Sequence, residues 1–251
     1  MSGKSNSDFF VAIDLFAGGG GLTAGLKRAG FKVCAAVEFD ALAAATYTAN
    51  HPEVVMFAKD IREISSAELI SASPTNNIDL IAACPPCQSF SSLTAKYKRK
   101  DSRDELINEF ARLVREIKPR TIMMENVPGL ALKGSHLFNP VIQEFKDLGY
   151  FISYRVLEVA DYGVPQRRRR LVVLGCLSGE IDIPESTHSE SGVDGKLPWV
   201  TVRDAISHIP QPIPLAKVKN KGGPRSVGWN VSRVLAPQNI ERLRASKEGG
   251  V

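Results

Sequence analysis

The chain has 251 residues, 43% of them hydrophobic and 24% charged, with a formal net charge of +5. That balance excludes disordered, collagen-like and low-complexity classes, and it allows one large domain or a domain with part of a second. No apolar run approaches the roughly 18 residues of a membrane span.

The first residues are polar and lack a signal-peptide core, and four cysteines in this length make no disulfide scaffold. A reducing cytoplasmic setting without a membrane partner is the expectation. Phe9 to Leu15 reads as a buried strand, followed by glycines and a helix over about 21–30. Val33 to Val37 reads as a second strand with a helix over about 40–50 behind it, and Val54 to Phe57 as a possible third strand. Ile78 to Ala83 is the next strand, and Leu106, Phe110, Leu113 and Ile117 give helical spacing over 104–118. Thr121 to Met124 reads as a strand and 138–148 as a helix, while Phe151 to Val159 and Leu171 to Cys176 read as paired strands.

Strands alternating with helices of about 10–15 residues predict an α/β fold with a doubly wound, mostly parallel sheet. After about residue 180, Pro, Gly and Ser accumulate, and only short helices over 201–209 and 237–246 can be placed. The expected division is a complete domain over 1–180, with a linker and the opening of a second region over 181–251. Charge follows that division. Residues 211–251 hold eight basic and two acidic side chains, against 24 basic and 25 acidic in the first 210, which points to a polyanionic partner on the C-terminal side. Smaller basic clusters stand at Lys96, Lys98, Arg99, Lys100 and Arg103, and at Arg167 to Arg170.

The strand ends carry the chemistry. Asp14-Leu15-Phe16-Ala17-Gly18 runs into Gly19, Gly20, Gly21 and Gly25, where clustered glycines either form a tight turn or let a nucleotide-like ligand approach backbone N–H groups. The spacing misses the strict dinucleotide pattern because position 23 is Thr. Glu38 ends the second strand, as an acid gripping a ribose diol would, and Phe39 offers a ring face. Asp60, beside Ile61, suits an adenine amino group or a helix N-cap.

Cys84-Pro85-Pro86-Cys87 admits a redox pair or a lone nucleophile, while the second ligand pair that zinc needs is absent, so no metal is expected. Cys84, placed in the apolar sheet, would be inert; Cys87, in a loop beyond two prolines, is the preferred nucleophile. Glu125, after a strand of Ile and Met, has little reason to be there for packing. Groups of this kind at the carboxyl ends of successive strands make a ligand site.

Asp14 to Gly18, Pro85-Pro86-Cys87-Gln88-Ser89-Phe90-Ser91, Glu125-Asn126-Val127 and Gln166-Arg167-Arg168-Arg169-Arg170 together resemble the DNA cytosine-5 methyltransferase family over about residues 10–180. The resemblance implies the fold of S-adenosylmethionine-dependent methyltransferases. It also implies transfer of a methyl group to carbon 5 of cytosine in duplex DNA, through a covalent Cys adduct and base flipping. On that pattern Cys87, Glu125 and Arg170 are catalytic. Asp14, Phe16, Ala17, Gly18, Gly20, Gly21, Glu38, Phe39, Asp60, Ile61, Pro86 and Leu106 hold S-adenosylmethionine. Gln88, Ser91, Lys96, Lys98, Arg99, Arg103, Asn126, Gln166 and Arg168 meet DNA, the basic run after Cys87 lying where the family has a loop that closes over the strand.

Val200 to Ile206 resembles the family's lead into its target recognition region, and the family's last two motifs are not found. Two readings fit, a shortened chain or the catalytic subunit of a split bacterial enzyme, and the split form is the preferred one. A second polypeptide would supply the rest, within a restriction-modification system at the nucleoid. Methylation of RNA, a non-catalytic DNA-binding scaffold and a nicotinamide-dependent oxidoreductase are the competing readings.

Overall fold

The computed structural model describes residues 9–87, 90, 102–210, 213–214, 231–232 and 241. Each expected strand is present. They are β1 (Phe10–Leu15), β2 (Phe31–Val37), β3 (Val55–Phe57), β4 (Leu80–Ala83), β5 (Thr121–Asn126), β6 (Phe151–Glu158) and β7 (Arg169–Cys176). They form one seven-stranded sheet in the order β3-β2-β1-β4-β5-β7-β6, parallel except for β7, which runs antiparallel to both β5 and β6. The chain moves outward from β1 through β2 to β3, then returns to β4 on the other side of β1. That reversal opens a crevice at the carboxyl ends of β1 and β4, where sheets of this class bind ligands.

Alternation along the strands supplies two apolar layers. Val11, Ile13 and Leu15 of β1 enter a large core with Ile122 and Met124 of β5, while Ala12 faces a smaller core with Leu80 and Ala82 of β4. The large core is closed by α3 (Ser66–Ser71), α4 (Ile107–Ile117) and α6 (Ser135–Asp147) through Leu69, Phe110, Leu113, Phe138 and Phe145. Burying each such side chain contributes about 1.5–3 kcal/mol. The small core is closed by Leu26 of α1 (Gly21–Arg28) and Tyr47 of α2 (Ala41–Asn50). Its alanines let those two helices lie close to the sheet. The helix expected over 104–118 begins as a 3-10 turn over Ser102–Leu106 and ends at Lys118, which adopts a left-handed conformation (φ 50°) directly before Pro119.

Two helices went unexpected. One is α3, although Ser65 and Glu68 form a reciprocal capping box that marks its start. The other is α5 (Gly129–Leu132), a single turn directly after the Glu125 strand.

The chain separates into a unit over Met1–Trp199 and a second over Val200–Val251. The first ends in a short parallel pair, β8 (His188–Ser189) and β9 (Leu197–Pro198). In the second, α7 (Val202–Ile206) starts at a Thr201–Asp204 capping box, and β10 (Ile213–Pro214) pairs with β11 (Val231–Ser232). The helix expected over 237–246 falls outside the described residues apart from Glu241. No helix among the described residues is long and apolar enough to cross a membrane.

Candidate active site

At the end of β1 the chain turns through two left-handed residues, Phe16 (φ 59°) and Gly18 (φ 54°), pinned by a hydrogen bond from Ala17 N to Val37 O of 3.0 Å. Gly18 N donates to Glu38 Oε2 at 2.8 Å, and Asp40 N donates to Glu38 Oε1 at 2.7 Å. One carboxylate therefore ties the glycine loop to the start of α2. Gly20 N-caps α1 at φ 94°, and a Cβ there would stand 2.5 Å from the His51 ring, so only glycine fits. Gly21 begins the helix, whose first turn has no side-chain cap and no acid to offset its positive end.

Behind this loop lies a buried polar chain. The Thr23 hydroxyl donates to Asp14 Oδ2 at 2.7 Å and accepts from the Tyr47 hydroxyl at 2.7 Å. Lys27 Nζ donates to His51 Nδ1 at 3.2 Å, which leaves His51 Nε2 to donate to Gly20 O at 3.0 Å. Asp14 is fully buried, and its Oδ1 has no hydrogen-bond partner among the described residues. Burial pushes its carboxyl up to about 7, with the Glu38 charge adding and the Thr23 bonds opposing.

A cavity of about 510 Å³ opens in front of the loop, within the range of small-molecule sites. Phe16, Glu38, Phe39, Asp60, Ile61, Pro86 and Leu106, all assigned to the cofactor from sequence, line it. Asp14, Ala17, Gly18, Gly20 and Gly21 do not line it, and they shape the loop from behind. The wall also contains Lys59, Arg62 and Cys84, which sequence reasoning did not assign to it. Asp60 caps a 3-10 turn over Ile61–Glu63 and is wrapped by Arg62, whose backbone N and guanidinium both donate to its carboxylate. Those bonds hold the Asp60 carboxyl below its usual range. The short spacing Asp60-x-Arg62 was the available signal.

These walls fit S-adenosylmethionine. They combine exposed and half-buried apolar faces at Phe39 and Leu106 with the Glu38 carboxylate, whose oxygens each keep a lone-pair direction for a ribose hydroxyl.

Cys84 follows β4 directly instead of ending it and lines the cavity; as a whole residue it is more exposed than Cys87. Cys87 is 7% exposed and free, and burial pushes its thiol up to about 11, with Asp104 adding and an Asn126 hydrogen bond opposing. Cys84 is pushed up further still, by burial and by the carboxylates of Glu125 and Asp14.

Asn126, assigned to DNA from sequence, is 3% exposed. Its Nδ2 donates to Pro85 O at 3.0 Å and its Oδ1 accepts from Val127 N at 2.8 Å, so it braces the Pro-Pro-Cys loop. Gly129 serves the same loop: a Cβ there would lie 2.1 Å from Phe90 O.

Glu125 is part of β5 itself. Antiparallel pairing sets it opposite Val172, so Arg170, two residues along β7 on the same face, reaches it and forms an ion pair through Nε. Burial raises the Glu125 carboxyl, opposed by the Arg168 charge and by a hydrogen bond from Cys84. Arg168 and Gln166 are exposed on the β6–β7 connection, Arg168 N donating to Glu158 and Gln166 N to Val164 O. Gln88, Ser91, Lys96, Lys98 and Arg99 lie outside the described residues, and Arg103 falls in the 3-10 turn before α4.

A sequence profile described as C-5 cytosine-specific DNA methylase matches residues 10–224. The type II methyltransferase M.XorII of Xanthomonas oryzae is 39% identical over 205 residues, which is 80% of this chain and 46% of that protein. M.AquIA of Picosynechococcus, also named a type II methyltransferase, is 36% identical over 222 residues, 80% of this chain and 90% of that protein. An E. coli prophage protein described as a DNA modification methyltransferase superposes with a TM-score of 0.66 at 31% identity, over 94% of this chain and 69% of its own. The chain thus spans about half of M.XorII and most of M.AquIA. With the glycine loop, the Pro-Pro-Cys loop and the Glu125–Arg170 pair gathered at one edge of the sheet, the chain belongs to the C-5 cytosine-specific DNA methylase family.

Proposed function

We propose that the protein methylates carbon 5 of cytosine in duplex DNA, using S-adenosylmethionine. The observation that carries this reading is the direct contact between Glu125 and Arg170. N3 and O2 are adjacent atoms on one edge of cytosine, so the groups that stabilise charge there must themselves be neighbours. Carbon 5 is a weak nucleophile until a thiolate adds to carbon 6, and Cys87, braced through Asn126 and Gly129, is the thiol on the adjoining loop. Glu125, raised by burial, donates a proton to N3 and accepts from the exocyclic amine, while Arg170 holds O2. Glu38 and the loop at Gly18 orient the methyl donor in the cavity, which supplies an electrophilic sulfonium methyl when bound. Loss of the carbon 5 proton then releases Cys87.

Because a stacked base cannot reach Cys87, the target must flip out, at a cost of a few kcal/mol. The basic run at Lys96 to Arg103, with Gln88, Ser91, Gln166 and Arg168, is assigned to holding the opened DNA. The recognition region and the last family motifs are assigned to a second polypeptide, with restriction-modification as the setting. The type II names of M.XorII and M.AquIA support that setting.

Duplex DNA containing 5-fluorocytosine tests the chemistry, because fluorine blocks the final elimination. A covalent complex should form with the wild type and Cys84→Ser and be absent in Cys87→Ser. Its persistence in Cys87→Ser would refute the assignment. Labelled methyl groups entering transfer RNA in preference to duplex DNA would favour the RNA reading.

A further inference from the structure

We propose that Trp199 is a positioning residue for the β6–β7 connection. It holds the segment that carries Gln166 and Arg168 through the Arg167 guanidinium over its ring and a hydrogen bond to Asp161. The role of that segment at DNA rests on the reading given above, but the hold itself does not.

The connection leaves β6 through a 3-10 turn over Val159–Tyr162 and enters β7 at Arg169. Four consecutive arginines repel one another there, so each needs a place of its own. Arg170 is taken by Glu125. Arg167 lies over the Trp199 ring, its guanidinium carbon 5.0 Å from the centroid, within cation–π range. The Trp199 indole N–H donates to Asp161 Oδ1 at 2.8 Å, which fixes the ring. One half-buried indole thus grips the connection at its start and near its end.

Trp199 can anchor because its own segment is fastened. Trp199 N donates to Ser189 O and Leu197 N to Thr187 O, both at 3.0 Å, within the β8–β9 pairing. That pair is tied back to the 3-10 turn, where Thr187 N donates to Asp161 O at 3.0 Å and the Tyr162 hydroxyl donates to Pro184 O at 2.8 Å. Gly163 (φ 80°) lies against the His188 ring, and a Cβ there would come within 2.9 Å of it. Beyond Gly163 the backbone bond is local, Gln166 N to Val164 O at 2.7 Å, until Arg168 O accepts from Val159 N at 2.9 Å. The Arg167 side chain is a tie across that span, with Glu190 as a second, exposed partner at 3.7 Å.

The test is hydrogen exchange of the peptide over residues 163–170, read by mass spectrometry on the full chain without DNA. Trp199→Leu removes ring and donor, Trp199→Phe keeps a ring face, and Arg167→Gln removes the cation at an exposed position. Exchange should quicken by about two- to fivefold in Trp199→Leu and Arg167→Gln, the range expected of an exposed cation–π contact, with Trp199→Phe in between. The double variant should fall short of the product of the two single effects, as for partners in one interaction. Affinity for S-adenosylhomocysteine should be unchanged, and its parallel loss would overturn the proposal as a general unfolding. Wild-type exchange in folded Trp199→Leu, or a double variant reaching the full product, would overturn it too. Trapping on 5-fluorocytosine DNA should fall as exchange quickens. Faster exchange with wild-type trapping would uphold the hold on the connection and refute the connection's role at DNA.

Discussion

Asp14 is a fully buried acid, and its consequences can be measured. Its carboxyl is raised from 3.8 to about 7 in the folded protein, chiefly by burial. A group raised on folding stabilises fully below its unfolded value and loses that contribution as pH rises through the folded value. Three units correspond to about 4 kcal/mol, lost between about pH 4 and pH 7. Urea unfolding should show the wild type losing stability from pH 5 to pH 8, and Asp14→Asn should lose clearly less. Equal losses would contradict the account.

The thiols make a second prediction at this scale. With Cys87 at about 11, its thiolate fraction rises about tenfold per pH unit below that value. Iodoacetamide labelling of Cys87 in the absence of DNA should climb from pH 7 to pH 10 without a plateau, as read by peptide mapping. Ser178 and the Arg120 charge draw the Cys176 thiol below its usual range against the effect of burial.

Elements meet the site through their ends. The Pro-Pro-Cys loop after β4 is held by the end of β5 and by the turn that follows it, where Gly129 lies against the Phe90 carbonyl. Gly129→Ala must push that backbone away, at a cost of about 1–3 kcal/mol. Thermal unfolding should show the loss, and trapping on 5-fluorocytosine DNA should fall with it. Wild-type trapping in a destabilised Gly129→Ala would separate the turn from the chemistry. Strands were legible to within a residue or two because each is a dense run of β-branched and apolar side chains. Their ends were less so. Glu125 reads as lying beyond its strand and is in it, because antiparallel pairing with β7 extends β5 to Asn126. Cys84 reads as lying in the sheet and is beyond it, because the two prolines that follow end the ladder.

Across the whole molecule, charge is divided between a near-neutral body and a basic C-terminal stretch. Binding to a polyanion through that stretch releases counterions. Replacing Lys217, Lys219, Lys221 and Arg225 by Gln should reduce the salt dependence of duplex DNA affinity by up to about 0.9 in slope per charge removed. Fluorescence anisotropy between about 50 and 200 mM salt checks this. An unchanged slope would place the DNA elsewhere. Methyl transfer by residues 1–251 alone should be weak and should rise when the remaining recognition region is added. Strong sequence-specific transfer without it would refute the split reading.

The sequence by itself determined the sheet class, because strand and helix periods are local properties of neighbouring side chains. It also determined the identities of Cys87, Glu125 and Arg170 as candidates, because their motifs are contiguous. Partnership was decided only in three dimensions. That Arg170 grips Glu125, that Asn126 turns inward to brace Pro85, that Asp60 is wrapped by Arg62 and that Cys84 lines the cofactor cavity all depend on strand register and burial. Those are set by contacts between residues up to dozens of positions apart, which no local pattern encodes.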